Sequence, residues 1–421
     1  MIDIQCGGLK AKASVQVPGS KSYTHRTLIA AALSDGACMV RNPLRSEDTQ
    51  LTLEALGRMG VAYKDQGEAL ELAGCSGRLG PCREPIHLGT SGTSMRLLAG
   101  IVVLGQGTYT LTGSERMHQR PIQPLLDSLK ELGVEARSLA GNGCPPVAVE
   151  GGQCPGGRTR IDCSVSSQYL SALMLAGPCL AHGLRINVTG GPVSKPYIDL
   201  TVDILHTFGI RLERDGYTRF KIPGGQVYQA GDYTVEADGS QAGYFWGAAA
   251  ISGNLVKAEG VTSASRQGDV ALARVLERMG CRVDDAPDGI AVAGAPALTG
   301  VDVDMADMPD MVPTLAVVAA FARGTTTIRN VAHLRAKESD RLAAVCRELG
   351  KMGIRTASDE DTLTIHGGRP QGADIETYND HRIAMSFAMA GVKVPGVRIL
   401  DEACVEKSFP GFWKVFESLY E

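Results

Sequence analysis

Several features that define whole classes of protein are scarce in this sequence of 421 residues. Aromatic residues make up only 5%, and no stretch approaches the roughly 18 apolar residues of a membrane-spanning helix. The 42 basic and 46 acidic residues give a net charge of −4, too balanced for a general nucleic-acid or membrane-surface binder. Residues 1–20 also lack the apolar core of a targeting segment. We therefore expect a soluble cytoplasmic protein with neither nucleic acid nor membrane as a partner.

Motifs for metal ions, disulfides and nucleotides are missing too. The eleven cysteines include no Cys-x-x-Cys pair and the eight histidines no His-x-x-x-His pair, so we expect unpaired, mostly buried thiols and no metal site. The segment Gly19-Ser20-Lys21-Ser22 is not a P-loop, because Ser14 stands where that motif requires its first glycine. No Gly-x-Gly-x-x-Gly follows a predicted strand either. Neither a nucleoside triphosphate nor NAD is indicated.

Glycine, by contrast, is abundant, with 51 residues, and some of the glycines mark an internal repeat. Five segments share a leucine, two variable residues, a large apolar residue and then a glycine, at a period of about 70 residues. Their glycines are Gly60, Gly133, Gly209, Gly280 and Gly353. Leucine and the apolar residue three positions later lie on one helix face, and the glycine then favours a left-handed C-cap. The pattern predicts a series of amphipathic helices, each ending at such a glycine.

A second series of alanine-rich segments alternates with the first and is apolar on nearly all sides. These segments are Leu28–Leu33, Leu97–Leu104, Leu170–Leu180, Phe245–Ile251, Leu315–Ala322 and Ile383–Ala390. A helix without a polar face belongs in the interior. The two series together predict six α/β units, each with one buried and one amphipathic helix, grouped into two globular halves of three units. The join should fall near the Pro/Gly-rich stretch Ile222 to Asp232.

Polar residues gather directly before these helices, where backbone N–H groups and the helix dipole favour an anionic ligand. The main charged ones are Lys21, Arg26, Arg120, Asp310, Lys337, Glu338, Arg341, Arg382 and Lys407. Arginine forks onto carboxylates and phosphates, while lysine acts as a point charge. Such a set suits a pair of doubly anionic ligands, with two carboxylates to accept and donate protons. Taken alone, Lys337 to Arg341 would be interpreted as an ion-paired helix surface.

These motifs, taken in order along the chain, resemble the 5-enolpyruvylshikimate-3-phosphate synthases. The resemblance runs from about residue 14 to residue 411 and rests on an ordered set of short motifs. They are Val17-Pro18-Gly19-Ser20-Lys21-Ser22 with Arg26, Gly92-Thr93 with Arg96, Arg120-Pro121-Ile122, Ser166-Ser167-Gln168, Pro309-Asp310, Lys337-Glu338-Ser339-Asp340-Arg341, Tyr378-Asn379-Asp380-His381-Arg382 and Glu406-Lys407-Ser408-Phe409-Pro410.

The resemblance implies an architecture and a reaction. The fold would be α/β, with two domains of three βαβαββ units each: residues 18–230, and residues 1–17 plus 231–421. The active site would lie in the cleft between the domains and be completed by domain closure. The enzyme, a monomer without metal or organic cofactor, would convert phosphoenolpyruvate and shikimate 3-phosphate to 5-enolpyruvylshikimate 3-phosphate and phosphate, on the route to chorismate.

The resemblance also implies roles for individual residues. Asp310 would be the base for the 5-hydroxyl and Glu338 the acid that protonates the methylene carbon, with Lys21 touching both ligands. Shikimate 3-phosphate would contact Lys21, Ser22, Arg26, Ser166, Ser167, Gln168, Ser194, Tyr197, Asp310, His333 and Lys337. Phosphoenolpyruvate would contact Lys21, Gly92, Arg120, Gln168, Arg341, Arg382 and Lys407.

Three positions depart from the family pattern. Thr90 and Leu97 replace residues that many members have around Gly92, and His333 stands where some members have asparagine. Gly92 itself is kept, which leaves room for the phosphate of phosphoenolpyruvate. Inhibition by glyphosate is therefore a hypothesis.

Two alternatives remain open. An enolpyruvyltransferase acting on UDP-N-acetylglucosamine would have asparagine after Lys21 and a reactive cysteine near residues 116–119, but Ser22 and Arg116 to Gln119 stand there. A non-catalytic phosphometabolite-binding protein could keep the cations and dispense with Asp310 and Glu338. A phosphate-release assay with each acceptor distinguishes the three.

Overall fold

The helices alternate along the chain between buried and amphipathic. The computed structural model describes residues 1–421. Its α-helices, α1 to α12 in chain order, are Lys21–Leu33, Glu47–Arg58, Gly92–Ile101, Gln123–Glu131, Gln168–Ala176, Pro196–Thr207, Gly239–Ser252, Leu272–Arg278, Val312–Ala319, Arg341–Lys351, His381–Gly391 and Phe412–Glu417. The odd-numbered helices are buried on nearly all sides, whereas the even-numbered ones bury one face. The two predicted series are thus confirmed.

Strands separate these helices throughout the chain. The strands β1 to β23 are Ile2–Asp3, Lys12–Gln16, Ala37–Arg41, Tyr63–Asp65, Ala69–Ala73, Ile86–His87, Gly107–Thr112, Ala136–Ser138, Val147–Gly151, Gly157–Asp162, Leu184–Gly190, Glu213–Asp215, Arg219–Ile222, Asp232–Thr234, Leu255–Glu259, Arg282–Ala286, Gly289–Ala293, Asp302–Asp304, Thr325–Arg329, Thr356–Ser358, Leu363–His366, Asp374–Ile375 and Arg398–Ile399. Short 3-10 helices occur at Val102–Leu104, Met117–Gln119, Gly177–Cys179, Gly268–Ala271, Pro309–Met311, Ala332–Ala336 and Glu402–Lys407.

The repeat glycines end their helices as the sequence predicts. All five have positive φ, from 77° at Gly353 to 109° at Gly280, a region in which a side chain would be strained. Other glycines serve a purpose that the sequence did not indicate. A Cβ on Gly100 would lie 2.6 Å from the Cβ of Ala172, so this glycine lets α3 and α5 approach closely. Part of the glycine excess therefore serves the close packing of buried helices.

The chain divides into two compact units, each with its own hydrophobic core. Gly19–Val235 forms one, called here the central unit, and Met1–Pro18 with Glu236–Glu421 forms the other, called the split unit. The central unit contains three four-stranded sheets, with the strand orders β14-β3-β5-β4, β6-β7-β9-β8 and β10-β11-β13-β12. In each sheet the first two strands are parallel and the other pairs are antiparallel, which is the βαβαββ arrangement.

The split unit contains two similar sheets and one smaller one. The four-stranded sheets have the orders β16-β17-β15-β2 and β18-β19-β21-β20, while the third is β1-β23-β22. In the third sheet, β1 from the start of the chain pairs antiparallel with β23, so a full βαβαββ unit is not formed after α11. The six predicted α/β units are present, and the sheet of the sixth has three strands, one fewer than the other five.

Two strands, β2 and β14, belong to a different unit from the helix that directly follows them. Strand β2 directly precedes α1 but pairs with β15, and β14 directly precedes α7 but pairs with β3. Because β14 belongs to the central unit, the second boundary between the units falls after this strand, at residue 235, rather than at residue 230. At each of the two chain crossings, the strand therefore belongs to one unit and the helix that follows it belongs to the other.

All eleven cysteines are unpaired; six are buried, four are half-buried and Cys6 is exposed. This agrees with their interpretation as small interior residues. None of the helices is both long enough and apolar enough to cross a membrane.

Candidate active site

In the central unit, three buried helices begin with residues that the sequence singled out. Helix α1 begins at Lys21, α3 at Gly92 and α5 at Gln168, each preceded by a serine. The Ser91 hydroxyl accepts from the backbone N–H of Ser94 and caps α3. The first N–H groups of a helix have no partner within the helix, so these three starts supply donors for an anion.

Lys21 is held by a carboxylate that the sequence interpretation missed. Its Nζ lies 3.2 Å from Oδ2 of Asp48, which is buried in the first turn of α2. The backbone carbonyl of Asp48 accepts from Ser94 Oγ at 3.2 Å, so α2 is also tied to the start of α3. The ion pair fixes the position of the ammonium group, because both partners are largely shielded from water.

Arg26 is buried in the middle of the central cluster. Its guanidinium donates to Thr201 Oγ1 at 2.8 Å, to Ser171 Oγ at 3.3 Å and to the carbonyls of Ser22 and Tyr197 at 2.9 and 3.1 Å. None of these partners is charged. Burial lowers the pKa of Arg26 to about 10, and the guanidinium remains a cation at neutral pH. Its positive charge is thus balanced by dipoles only.

Arg96 and Gln168 join α3 to α5. Arg96 Nη1 donates to Gln168 Oε1 at 2.9 Å, and Gln168 Nε2 donates to Thr93 Oγ1 at 2.9 Å. The Arg96 guanidinium also lies 5.6 Å from the ring centre of Tyr169. Arg96 was part of a sequence motif but had been given no role. Its contacts fix the side chain of Gln168, which the sequence predicted as a ligand contact.

Gly92 and Arg120 are in direct contact. A Cβ on Gly92 would lie 2.5 Å from Arg120 Nη2 and 2.6 Å from Cζ, so any side chain would displace this guanidinium. Arg120 is buried and donates from Nη1 to the carbonyl of Thr90 at 3.0 Å. Only the backbone of Thr90 takes part in this bond, so the unusual residue type at this position does not disturb it. Gly92 is needed to let Arg120 reach the start of α3.

The remaining central residues lie at the starts of α5 and α6. Ser167 Oγ donates to the carbonyl of Ser194 at 3.3 Å, and the hydroxyl of Ser166 accepts from the N–H of Gln168. Ser194 has a positive φ of 56°, an uncommon conformation for a residue with a side chain. Tyr197 is in the first turn of α6 and its carbonyl accepts from Arg26. The structure thus brings Ser22, Arg26 and Tyr197 together, and Ser166, Ser167, Gln168 and Ser194.

In the split unit, one arginine joins three carboxylates. Arg341, the first residue of α10, is 1% exposed and donates to Asp310 at 2.9 Å, to Glu338 at 2.9 Å and to both oxygens of Asp380 at 2.8 and 3.2 Å. Desolvation alone would lower the pKa of Arg341, but the three carboxylates outweigh it and raise this pKa above its ordinary value. The two predicted catalytic carboxylates, Asp310 and Glu338, therefore share one guanidinium.

Arg382 binds Asp310 from the other side. Its Nη2 lies 2.6 Å from Asp310 Oδ2, and its Nη1 donates to Tyr244 Oη at 3.1 Å. Asp380 is the N-cap of α11 and accepts from the Arg382 N–H at 3.0 Å, so one aspartate orients both arginines. Complete burial raises the pKa of Tyr244 to about 12, which keeps its hydroxyl neutral.

Lys407 completes the split-unit cluster. Its Nζ lies 3.5 Å from Glu338 Oε1, and both side chains are largely buried. Glu338 is thus held at one oxygen by Arg341 and at the other by Lys407. The cluster of Asp310, Glu338, Asp380, Arg341, Arg382 and Lys407 has as many anionic as cationic side chains.

His333 and Lys337 lie next to this cluster, in and after the 3-10 helix Ala332–Ala336. Burial and the charge of Lys337 lower the pKa of His333 to about 3, so the ring is neutral. His333 Nε2 is buried and makes no hydrogen bond within the protein. A neutral ring nitrogen is compatible with a polar ligand contact, as the sequence predicted.

Sequence reasoning gave no role to four acids or phenols that the structure places at these clusters: Asp48, Asp380, Asp269 and Tyr244. Asp380 stood inside a quoted motif, and Asp48 follows the capping residue Ser46 of α2. Nothing in the sequence connects either one to its arginine or lysine partner. No group of three or more His, Cys, Asp or Glu side chains is arranged to hold a metal ion.

A repeated α/β fold whose helix starts carry two clusters of buried arginine and lysine is typical of proteins that bind anionic small molecules. The family model described as EPSP synthase (3-phosphoshikimate 1-carboxyvinyltransferase) matches residues 7–416, and the chain belongs to that family. Among curated 3-phosphoshikimate 1-carboxyvinyltransferases, that of Syntrophobacter fumaroxidans is 44% identical over 410 residues, 97% of each chain. That of Sulfurovum sp. is 43% identical, over 97% of this chain and 96% of the other. A solved structure of EPSP synthase from Acinetobacter baumannii superposes with a TM-score of 0.83 at 30% identity, covering 99% of this chain and 98% of the other.

Proposed function

We propose that the chain transfers the carboxyvinyl group of phosphoenolpyruvate to the 5-hydroxyl of shikimate 3-phosphate, with Asp310 as base and Glu338 as acid. The activity is that of the family to which the chain belongs. The observation that carries the residue assignment is the pair of predicted catalytic carboxylates held at 2.9 Å by one buried arginine, Arg341. Two carboxylates fixed by a shared guanidinium are oriented for separate proton transfers.

Four cations of the central unit support binding of the two phosphorylated substrates. Lys21, Arg26, Arg96 and Arg120 are largely buried, and Arg26 and Arg96 are held by hydroxyls, an amide and backbone carbonyls. We assign Lys21, Ser22, Arg26, Ser166, Ser167, Gln168, Ser194 and Tyr197 to shikimate 3-phosphate, and Lys21, Gly92, Arg120 and Gln168 to phosphoenolpyruvate. From the split unit, Asp310, His333 and Lys337 would contact the first substrate, and Arg341, Arg382 and Lys407 the second.

The proposed chemistry is an addition followed by an elimination. The 5-hydroxyl oxygen bonds to C2 of phosphoenolpyruvate while Asp310 takes the hydroxyl proton and Glu338 gives a proton to the methylene carbon. In the elimination, the Glu338 carboxylate takes back a proton from the methyl group of the ketal as the C–O bond to phosphate breaks, and Asp310 gives its proton to the departing phosphate. Cations around the phosphate stabilise the departing dianion, most strongly where water is excluded.

Substrate binding must also change the contacts of the split-unit cluster. Arg341 and Arg382 are the proposed ligands of phosphoenolpyruvate, yet their N–H groups are engaged by Asp310 and Glu338 at 2.6 to 2.9 Å. The incoming carboxylate therefore competes with these side chains. We propose that it displaces them in part, which frees Asp310 to accept a proton at the moment when the substrate is in place.

Because the proposed ligands come from both units, the site would be complete only when the two units close on the substrates. We further propose that the protein works as a cytoplasmic monomer. Glyphosate would compete with phosphoenolpyruvate, since Gly92 is kept beside Arg120. An inhibition curve that stays flat to millimolar glyphosate would reject that part of the proposal.

The test is a steady-state assay of inorganic phosphate release from phosphoenolpyruvate. Release with shikimate 3-phosphate and none with UDP-N-acetylglucosamine is expected. The reverse preference would favour the other enolpyruvyltransferase. Tight binding of shikimate 3-phosphate without any release would indicate a phosphometabolite-binding protein.

A further inference from the structure

One buried carboxyl group in the split unit has no part in the proposed reaction. Asp269 lies in the 3-10 helix Gly268–Ala271 and is 3% exposed. It accepts a very short hydrogen bond from the hydroxyl of Ser240, in the first turn of α7. A carboxyl group is removed from water in this way only at a considerable cost in free energy, which calls for a structural or functional reason.

The turn that carries Asp269 is fixed against the start of α7. The N–H of Gly239 donates to Gln267 Oε1 at 3.0 Å, and Asp238 caps the helix by accepting from the N–H groups of Ser240 and Gln241. A Cβ on Gly239 would lie 2.7 Å from Cγ2 of Val270, so this turn and α7 are in direct contact. Asp238 to Gln241 form one of the polar segments at a helix start, and the proposed reaction assigns them no role.

The other side of the same turn faces the split-unit cluster. The 3-10 helix Gly268–Ala271 contacts the 3-10 helix Pro309–Met311, which carries Asp310. The charged groups that act on Asp269 are Asp310, Arg382 and Asp238. Arg382 is in turn held by Tyr244 of α7 and by Asp310. Asp269 therefore lies in a turn that packs against the turn carrying Asp310.

We propose that Asp269 is a positioning residue for the predicted base: held by Ser240, its buried carboxyl group acts on Asp310 and Arg382 and sets how strongly Asp310 attracts a proton. The inference rests on the proposed function, because it assigns Asp310 to proton abstraction. It adds a group that does not touch the substrates and acts through its electrostatic effect on one that does.

Asp310 is paired with two arginines in this structure. Two guanidinium groups within 2.6 to 2.9 Å stabilise its ionised form and reduce its proton affinity. A second carboxylate nearby has the opposite effect and restores part of that affinity. Burial, and after it the charge of Asp310, raise the pKa of Asp269 to about 7, while Arg382 and the Ser240 hydroxyl oppose the shift. Asp269 thus becomes ionised around neutral pH, and Asp310 then becomes the stronger base.

The test compares the pH dependence of kcat/KM for the wild type and Asp269→Asn. The variant keeps the shape of the side chain but carries no charge at any pH. We expect the two profiles to converge on the acid side and the variant to be about tenfold slower above pH 8, because Asp310 loses the nearby negative charge that makes it a stronger base. The matched control is Asp284→Asn, which removes an exposed carboxylate of β16 in the same unit and should leave the profile unchanged.

Ser240→Ala provides an independent prediction, because this variant keeps the carboxyl group of Asp269 and changes only its pKa. It removes a donor that stabilises the ionised form of Asp269, so the rise in kcat/KM should move to higher pH without being abolished. A purely structural role predicts instead that both variants lose activity by the same factor at every pH. That result, or an Asp269→Asn profile identical to the wild type, would overturn the proposal.

A measurement without turnover separates this inference from the proposed function. Infrared difference spectra of the wild type, recorded across neutral pH, should show the carbonyl band of a protonated buried carboxylic acid, lost on ionisation and missing in Asp269→Asn. A wild type that shows this band but releases no phosphate would contradict the proposed function and leave the protonation of Asp269 standing. A wild type that is active but lacks the band would contradict the inference alone.

Discussion

The two clusters of the molecule hold their cations in opposite ways. In the central unit, Arg26 and Arg96 are bound by hydroxyls, an amide and backbone carbonyls, and Asp48 is the carboxylate paired with Lys21. In the split unit, Arg341, Arg382 and Lys407 are bound by carboxylates. The first cluster keeps a surplus of positive charge for a ligand, whereas the second must exchange an internal anion for an external one. We propose that this difference separates binding from chemistry, with the two proton-transfer carboxylates, Asp310 and Glu338, in the second cluster.

The largest effect expected from this contrast is on turnover. Asp310→Ala and Glu338→Ala should each lower kcat by about 10² to 10⁴, because each removes a proton-transfer group. The matched change Asp48→Ala in the central unit should act mainly on KM. Circular dichroism and thermal unfolding verify the fold of each variant, and near-normal activity in both split-unit variants would refute the assignment of roles.

The next effect tests the close contact at the start of α3. Gly92→Ala places a methyl group where Arg120 now lies, 2.5 Å from Nη2, so the guanidinium must move. We expect KM for phosphoenolpyruvate to rise about tenfold or more, with a smaller change in KM for shikimate 3-phosphate. Gly350→Ala, at a helical position where a Cβ would meet no neighbour and φ is not left-handed, is the control for the added methyl group alone. Equal changes in both KM values would speak against a phosphoenolpyruvate site at Gly92.

If phosphoenolpyruvate displaces carboxylates of the split-unit cluster, a variant that has lost one of them should bind phosphoenolpyruvate more tightly although it is less active. Glu338→Gln removes a competitor for Arg341 and Lys407, so phosphoenolpyruvate should bind about three- to tenfold more tightly in the presence of shikimate 3-phosphate. Asp48→Asn in the central unit should instead weaken binding, because Lys21 loses the group that positions it. Calorimetric titration of both variants measures the two signs. Weaker binding by Glu338→Gln would remove the distinction between the two clusters.

The last effect is on stability and leaves activity aside, and it is expected to be alike in both units. Each contains a buried neutral histidine, His25 and His333, whose pKa burial lowers to about 3. Below about pH 6.5 the unfolded chain binds protons that the folded chain does not, so stability falls by about 1.4 kcal/mol per pH unit for each histidine. His25→Gln and His333→Gln should each flatten the decline of Tm between pH 7 and pH 4. His182→Gln, at an exposed position, should not.

The sequence predicted the local parts of this fold better than the long-range ones. The helix ending at Gly60 and its four counterparts could be recognised because leucine spacing and a left-handed glycine are properties of a few consecutive residues. The three-stranded sheet could not, since its third strand, β1, lies almost 400 residues from β23 in sequence. Pairings at that distance follow from tertiary packing alone.

The same division applies to the candidate site. Cations at helix starts, such as Lys21 and Arg341, could be recognised from the sequence because charged residues next to apolar helices have no place in a hydrophobic core. Their partners were not, because Asp48, Asp380 and Asp269 look like ordinary capping or surface acids until the helices are packed. The charge balance of each cluster, on which the proposed chemistry depends, is therefore a property of the fold and cannot be derived from the motifs.

The pairing of β2 and β14 with strands distant in sequence affects the order in which a growing chain can fold. The central unit has all of its residues once Val235 has been synthesised, including β14. The sheet of β2 must wait for β15 to β17, so residues 12–16 are made first and pair only after residue 255 has followed. During translation the first segment of the split unit thus stays unpaired while the whole central unit assembles behind it. Vectorial synthesis would give this protein one unit that folds early and one whose first strands wait until the rest of that unit has been synthesised.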